Sequence, residues 1–178
     1  MPADPAPMTA PSTPRTTGCG PGPQPQTPPQ TQPGQITLPT APDKVRAALA
    51  DLRRRLSPLG FEEEELGSVE LVTAEALNNI VEHAHGGDSH GQIRLTWDFG
   101  ATGLLIRIED DGTPMPDGRM PLMDHAGAPE PPANLPDLHE GGFGWFLITA
   151  LARNVQYRRE RDLNVLTYRL AVGLVGQG

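Results

Sequence analysis

Glu70-Leu-Val-Thr-Ala-Glu75-Ala-Leu-Asn-Asn79-Ile-Val-Glu-His83-Ala84 is the stretch on which the fold turns. At helical period, Thr73, Leu77, Ile80, Val81 and Ala84 form one apolar stripe that must face a core. Glu75, Asn79 and His83 recur at i, i+4 on another face, where neighbouring Cβ atoms lie about 5 to 6 Å apart. Such residues on an amphipathic helix are often only its solvated side. The stretch therefore gains chemical meaning only from what surrounds it.

Working outward, the acidic run from Glu62 suits the first turn of this helix, and Gly86-Gly87 ends it after Ala84. Upstream, Pro42-Asp43 opens another helix that runs to Leu56 and is stopped by Ser57-Pro58 and Gly60. Residues 35–38 read as a short strand before it. Downstream, Gln92-Ile-Arg-Leu-Thr-Trp-Asp98 and Leu104-Leu-Ile-Arg-Ile-Glu109 alternate as strands and pair as an antiparallel hairpin across Phe99-Gly-Ala-Thr-Gly103. Residues 111–140 show no period and many Pro, Gly and Asp, the profile of a lid loop or a disordered one. A third helix is expected from Gly142 or Phe143 to about Asn154, then strands over 155–159 and 163–171. The fold class is an α/β (α+β) two-layer sandwich: a mixed, largely antiparallel sheet of about five strands covered on one face by three helices.

Residues 1–34 are dominated by Pro, Thr, Gln, Gly and Ala, too poor in apolar side chains to offset the entropy of ordering, and are read as a disordered, Pro-rich tail. The domain is expected over 35–172, with a short C-terminal tail at 173–178. A net charge of −8 argues against a nucleic-acid binder, which needs a basic patch to displace counterions from phosphates. The single Cys19 closes no intramolecular disulfide. No run reaches the roughly 18 apolar residues that span a bilayer, and the first residues lack the blocks of a secretory signal. The expectation is a soluble, cytoplasmic protein with no direct contact to nucleic acid or membrane.

Two further segments carry chemistry. Gly141-Gly142-Phe143-Gly144 immediately precedes the apolar run Trp145-Phe-Leu-Ile-Thr-Ala-Leu151. Glycines let backbone N–H groups approach an anion, and the free N–H groups of a helix start add the positive end of the dipole, so a triphosphate fits there. A P-loop is excluded, because it needs a Lys beside its glycines and Lys44 is the only Lys. A dinucleotide fold is excluded too, because its glycine turn follows the first strand of a βαβ unit. The other segment, Ile108-Glu-Asp110-Asp-Gly112-Thr-Pro114, puts a carboxylate at a strand end, able to accept from an exocyclic amino group such as adenine N6. The residues alone leave Asp110 and Asp111 both open to that part.

Together the three segments resemble the GHKL superfamily of ATP-binding domains, and most closely its anti-sigma-factor serine/threonine kinases from partner-switching modules. Glu75-x-x-x-Asn79-x-x-x-His83-Ala84 looks like that family's N-box, Asp110-x-Gly112-x-Pro114 like its first glycine box, and Gly142-x-Gly144 with its apolar helix like its second. The resemblance covers residues 35–172 and implies the Bergerat-type ATP-binding fold, with 111–140 as the ATP lid. It implies Asn79 as the Mg²⁺ ligand, Glu75 as general base toward the attacking hydroxyl, and Asp110 rather than Asp111 as the adenine contact. Gly112 would pack beside the base, Gly142 and Gly144 would close the phosphate cradle, and His83, Pro114 and Phe143 would complete the nucleotide-binding set. Trp145, where a smaller apolar residue is common, and the Pro-rich 121–140 segment depart from the pattern.

The implied activity is ATP- and Mg²⁺-dependent phosphorylation of a STAS-domain anti-anti-sigma protein, with sequestration of a sigma factor. A homodimer is compatible with the resemblance, and the helix carrying Arg46, Arg53, Arg54 and Arg55 is the candidate partner surface. The alternatives are an ATP-responsive binding module without efficient transfer and an orphan histidine-kinase catalytic domain. A zinc site at His83, His85 and His90 is disfavoured: i, i+2 positions on a helix diverge, and no Cys or carboxylate completes a tetrahedron. His83 is expected in the pocket and His85 in a polar loop.

Overall fold

The computed structural model describes residues 33–121 and 142–173. The expectations for the N-terminal tail up to residue 32, for most of the lid and for residues 174–178 lie outside the described residues.

The sheet has five strands in the order β1-β2-β3-β5-β4. They are β1 (Gly34–Pro39), β2 (Gln92–Gly100), β3 (Gly103–Asp110), β4 (Arg153–Glu160) and β5 (Leu163–Leu170). Each pairing is antiparallel. The two-layer sandwich stands, and the parallel pair that a mixed sheet requires does not occur among the described residues. β2 and β3 form a tighter hairpin than the five-residue connection expected, because Gly100 pairs with Gly103 and only Ala101 and Thr102 remain for the turn.

Alternation decides which face is covered. Ile93, Leu95, Trp97 and Phe99 of β2 point to the same side as Leu104, Ile106 and Ile108 of β3 and Leu166, Tyr168 and Leu170 of β5, and all are buried. The ladders bring them into rows, with Leu95 opposite Ile108 and Ile108 opposite Leu166. Against this face lie α1 (Pro42–Leu56), α2 (Glu63–Asn79) and α3 (Gly142–Leu151). α1 buries Val45, Ala48, Leu52 and Leu56, and α2 buries Leu66, Val69, Val72, Thr73, Ala76 and Leu77, each at helical spacing. The buried Tyr168 hydroxyl donates to Thr73 Oγ1 at 3.0 Å, so the one polar group of the row that reaches α2 is satisfied there. The opposite sheet face is charged. Arg94 pairs with Glu109, Glu109 with Arg107 and Arg107 with Glu160 across β2, β3 and β4.

Both ends of α2 bear on the site. At its start, Glu62 N donates to Glu65 Oε2 at 2.9 Å, satisfying a backbone donor that the helix leaves free. At its end, the α-helix expected to run through Ala84 stops at Asn79, and Ile80–Ala84 forms a π turn. His85 N donates to Ile80 O and Gly87 N to Val81 O, longer loops than the α pattern. The wider turn delivers the Ala84 carbonyl to Thr113 N at 2.8 Å, joining the helix end to the segment after β3. Such turns concentrate at functional sites. α3 also ends earlier than expected, at Leu151 rather than Asn154. Asn154 has φ 54°, which no right-handed helix accommodates, and the chain has already entered β4.

Candidate functional site

A cavity of about 470 Å³ opens between the end of α2, the ends of β3 and β5, the start of α3 and the segment after β3. That volume falls within the range of small-molecule sites. Its walls are largely apolar, built from Ile80, Ala84, Pro114, Met115, Trp145 and Leu166, with polar groups at Asn79, His83, Asp110 and Asn164.

Asp110 stands at the last position of β3, 3% exposed. Its Oδ1 accepts from Gly112 N at 2.9 Å and from Asn164 Nδ2 at 2.8 Å. Burial raises its pKa above the ordinary carboxylate value, and the Asn164 and Gly112 donors oppose that shift without cancelling it. Asn164 lies directly across the β3–β5 ladder and is 4% exposed. Its Nδ2 also lies 3.2 Å from Gly112 O and 3.1 Å from Thr113 O, while its Oδ1 accepts from the Tyr157 hydroxyl and from Arg159 Nη1, each at 2.7 Å. Tyr157 in turn accepts from Met115 N at 3.0 Å, and Arg159 Nη1 reaches Gly112 O at 2.9 Å.

Gly112 is required here by close approach. A Cβ built on it would stand 2.7 Å from the Ala84 carbonyl oxygen and 2.7 Å from His85 Nε2. His85 thus belongs to the buried floor of the site and not to a polar loop: its side chain is 8% exposed, with Nε2 3.5 Å from Asp110 Oδ1. The π turn explains the difference, since it moves the residues after Asn79 off the α register and tucks His85 under the β3 exit. His83 remains exposed but lines the cavity, as expected of it.

Asn79 also lines the cavity, 7% exposed. Its Nδ2 is buried with no hydrogen-bond partner among the described residues, a costly arrangement unless an oxygen-bearing ligand completes it. One turn earlier on α2, Glu75 lies beside it against α3: a Cβ on Gly144 would meet Glu75 Oε2 at 2.6 Å and Asn79 Nδ2 at 3.4 Å. Gly142 is the first residue of α3, whose opening N–H groups have no acceptor within the helix. The N-box carboxylate and amide and the second glycine box are therefore packed together, and of these Asn79 lines the cavity along with Asp110, Thr113 and Pro114. Phe143 differs from expectation. It is 52% exposed, packs on Phe146 and does not line the cavity. The first turn of α3 turns Gly144 and Trp145 inward, and the neighbouring position faces out.

The donor set suits a nucleotide with magnesium. An amide oxygen is a hard ligand, and Mg²⁺ bound to phosphates keeps most of its shell as phosphate oxygens and water, so one protein ligand at Asn79 is enough. No group of three or more His, Cys, Asp or Glu able to hold a metal occurs among the described residues. Lys44, Arg53, Arg54 and Arg55 of α1 are engaged locally: Lys44 pairs with Asp43, Arg53 with Glu63 and Glu70, and Arg54 and Arg55 with Asp51, while Arg55 also covers Trp97. No helix among the described residues is long and apolar enough to cross a membrane.

Asn164, Tyr157 and Arg159 are absent from the expected site. The signal for Asn164 was an amide at an inward position of an otherwise apolar alternation, a residue type seldom buried without a task. Tyr157 and Arg159 gave no local signal.

The chain is similar to the serine-protein kinase RsbW of Oceanobacillus iheyensis, 26% identical over 132 residues that cover 74% of this chain and 82% of that protein. It is also 26% identical to the serine-protein kinase RsbW of Listeria innocua over 131 residues, with the same coverage of each chain. Among solved structures it resembles that of the RsbU and RsbW domains of a Mycobacterium tuberculosis protein, with TM-score 0.54 and 19% identity. That match covers 80% of this chain and 33% of the longer one, and it supports the fold. A family model for the histidine kinase-like ATPase domain matches residues 38–170, which include every element of the site, and the chain belongs to that family.

Proposed function

We propose that this protein is an ATP-dependent serine/threonine protein kinase and anti-sigma factor of the partner-switching type. It phosphorylates a STAS-domain anti-anti-sigma protein in the cytoplasm and sequesters a sigma factor. The observation that carries the reading is the packing of Glu75 and Asn79 against Gly144 beside a cavity that Asn79 lines together with the buried Asp110. The names of the RsbW relatives support the same activity.

In this reading Asp110 accepts from the adenine amino group, and the apolar walls at Ile80, Ala84, Met115 and Leu166 exclude water from the base. The α3 start and the Asn79 amide hold the phosphate end. Mg²⁺ bound at Asn79 supplies charge neutralisation for the phosphates. Glu75 takes the proton of the attacking serine hydroxyl as its oxygen bonds to the γ-phosphorus and the bond to the ADP oxygen breaks. Positioning and electrostatics dominate such transfers, which fits a site with one base and one metal ligand.

The test is incubation with labelled ATP, Mg²⁺ and a STAS-domain protein encoded beside this chain's gene. Acid-stable phosphoserine on the partner, abolished in Glu75→Ala, is the expected result. Absence of transfer by wild type, with nucleotide bound, would leave a regulatory binding module; an acid-labile product would point to a phosphohistidine partner.

A further inference from the structure

The Asn164 amide is oriented without ambiguity. Its nitrogen faces only acceptors, namely Asp110 Oδ1 and the Gly112 and Thr113 carbonyls, and its oxygen faces only donors, the Tyr157 hydroxyl and Arg159 Nη1. A flipped amide would oppose oxygen to oxygen at three contacts and N–H to the obligate donor Arg159 at a fourth. Tyr157 and Arg159 therefore fix the amide, and the amide fixes one oxygen of Asp110. Gly112 N takes the same oxygen. Both donors thus gather on Oδ1, and Oδ2 accepts from no donor among the described residues, at a residue that lines the cavity.

We infer that Asn164 is a positioning residue that sets purine specificity: by holding Oδ1 of Asp110 it presents Oδ2 to a 6-amino purine and makes the pocket reject a 6-oxo purine. The inference rests on the nucleotide reading above and goes beyond it, since that reading gives Asn164 no part. An ionised carboxylate accepts only, so a 6-amino group satisfies it, whereas a 6-oxo group sets two acceptors against each other. Discrimination built on a buried polar group is steep because the wrong ligand leaves that group unpaired. Without the Asn164 amide, Asp110 can rotate and share both oxygens with its neighbours. Affinity for ATP then falls while affinity for the 6-oxo analogue scarcely changes. Tyr157 acts one step further out, and through its bond from Met115 N it couples the start of the 115–121 segment to the same amide.

The experiment is calorimetric titration of the full chain with Mg-ATP and Mg-ITP, which differ at the 6-position. Wild type is expected to prefer ATP by at least about tenfold. Asn164→Ala is expected to weaken ATP about tenfold and ITP less than about threefold, collapsing the ratio, while a cooperative thermal melt shows the fold intact. Tyr157→Phe, which keeps Asn164 but removes one latch, should narrow the ratio by a smaller factor, and it decides the matter if Asn164→Ala fails to fold. Equal loss for both nucleotides, or an unchanged ratio in both variants, would show a merely structural role and overturn the inference while leaving the nucleotide site standing. A wild type that binds ATP and ITP equally overturns it too. A wild type that binds neither nucleotide overturns the nucleotide reading itself.

Discussion

Asp110 is charged where charge is costly. Its folded pKa is raised by burial above the ordinary value of 3.8, so its ionised form is disfavoured by folding. The sign follows: the contribution of this group to stability is fully present below pH 3.8 and is lost as pH rises through the raised value. At neutral pH the fold therefore carries a cost at Asp110. Replacing it by Asn keeps an oxygen for Gly112 N and Asn164 Nδ2 but removes the charge. Asp110→Asn should be at least as stable as wild type at pH 7 in chemical denaturation, with the advantage shrinking as pH approaches 4. Its ATP affinity should fall roughly 10- to 100-fold, the scale of a charged hydrogen bond lost and a donor left facing a donor. A variant that loses stability at pH 7 would show that the carboxylate serves the fold and not the ligand. Trp145 and Tyr157 line the same cavity and give an intrinsic fluorescence readout of the titration.

Two elements meet the site through glycine, and identical substitutions there should have opposite consequences. On the segment leaving β3, a Cβ at Gly112 collides with the backbone carbonyl of Ala84, which the π turn has placed there. Backbone cannot step aside cheaply, so Gly112→Ala should destabilise by about 1–3 kcal/mol and weaken nucleotide binding together. On α3, a Cβ at Gly144 meets the end of the Glu75 side chain at 2.6 Å, which can swing away, and Asn79 Nδ2 at an ordinary contact distance of 3.4 Å. Ala is also a better helix former than Gly by up to about 1 kcal/mol. Gly144→Ala should then melt no lower than wild type and still bind ATP, yet transfer should fall at least about tenfold because the displaced carboxylate no longer meets the hydroxyl. Thermal melts beside transfer assays separate the two cases. These elements also show what was legible beforehand. The alternation of β2 and β3 and the stripe of α2 are set by local period, and they read correctly from sequence. The π turn after Asn79, the end of α3 at Leu151 and the burial of His85 are set by contacts with residues far along the chain, such as Thr113 and Gly112, and no local pattern encodes them. The trio Glu75, Asn79 and Gly144 was readable because each belongs to a short motif. Asn164 was not, because its role exists only once β5 lies beside β3.

For the whole molecule, the cavity brings together the end of α2, the exit of β3, the start of β5, the start of α3 and the segment after β3. The charged outer face adds little to stability, because the Arg94, Arg107 and Glu160 side chains are 54%, 30% and 42% exposed and such pairs are weak in water. Ligand occupancy is the larger lever on global stability. A nucleotide at a hundred times its dissociation constant stabilises the native state by about 2.7 kcal/mol. In a domain of this size that amounts to a rise in Tm of roughly 5 to 10 °C. Mg-ATP should produce this shift in wild type and in Glu75→Ala, since a proton acceptor for transfer contributes nothing to ground-state binding. Asn79→Ala should abolish most of it, because the variant removes the amide whose buried nitrogen now lacks a partner and whose oxygen suits the metal. Differential scanning fluorimetry with Mg-ATP, with ATP in excess chelator and without nucleotide reads all three proteins side by side. If Glu75→Ala loses the shift as completely as Asn79→Ala, the two residues act as one binding unit and the division between base and metal ligand fails. If Asn79→Ala keeps the full shift, the phosphate end of the cavity lies elsewhere.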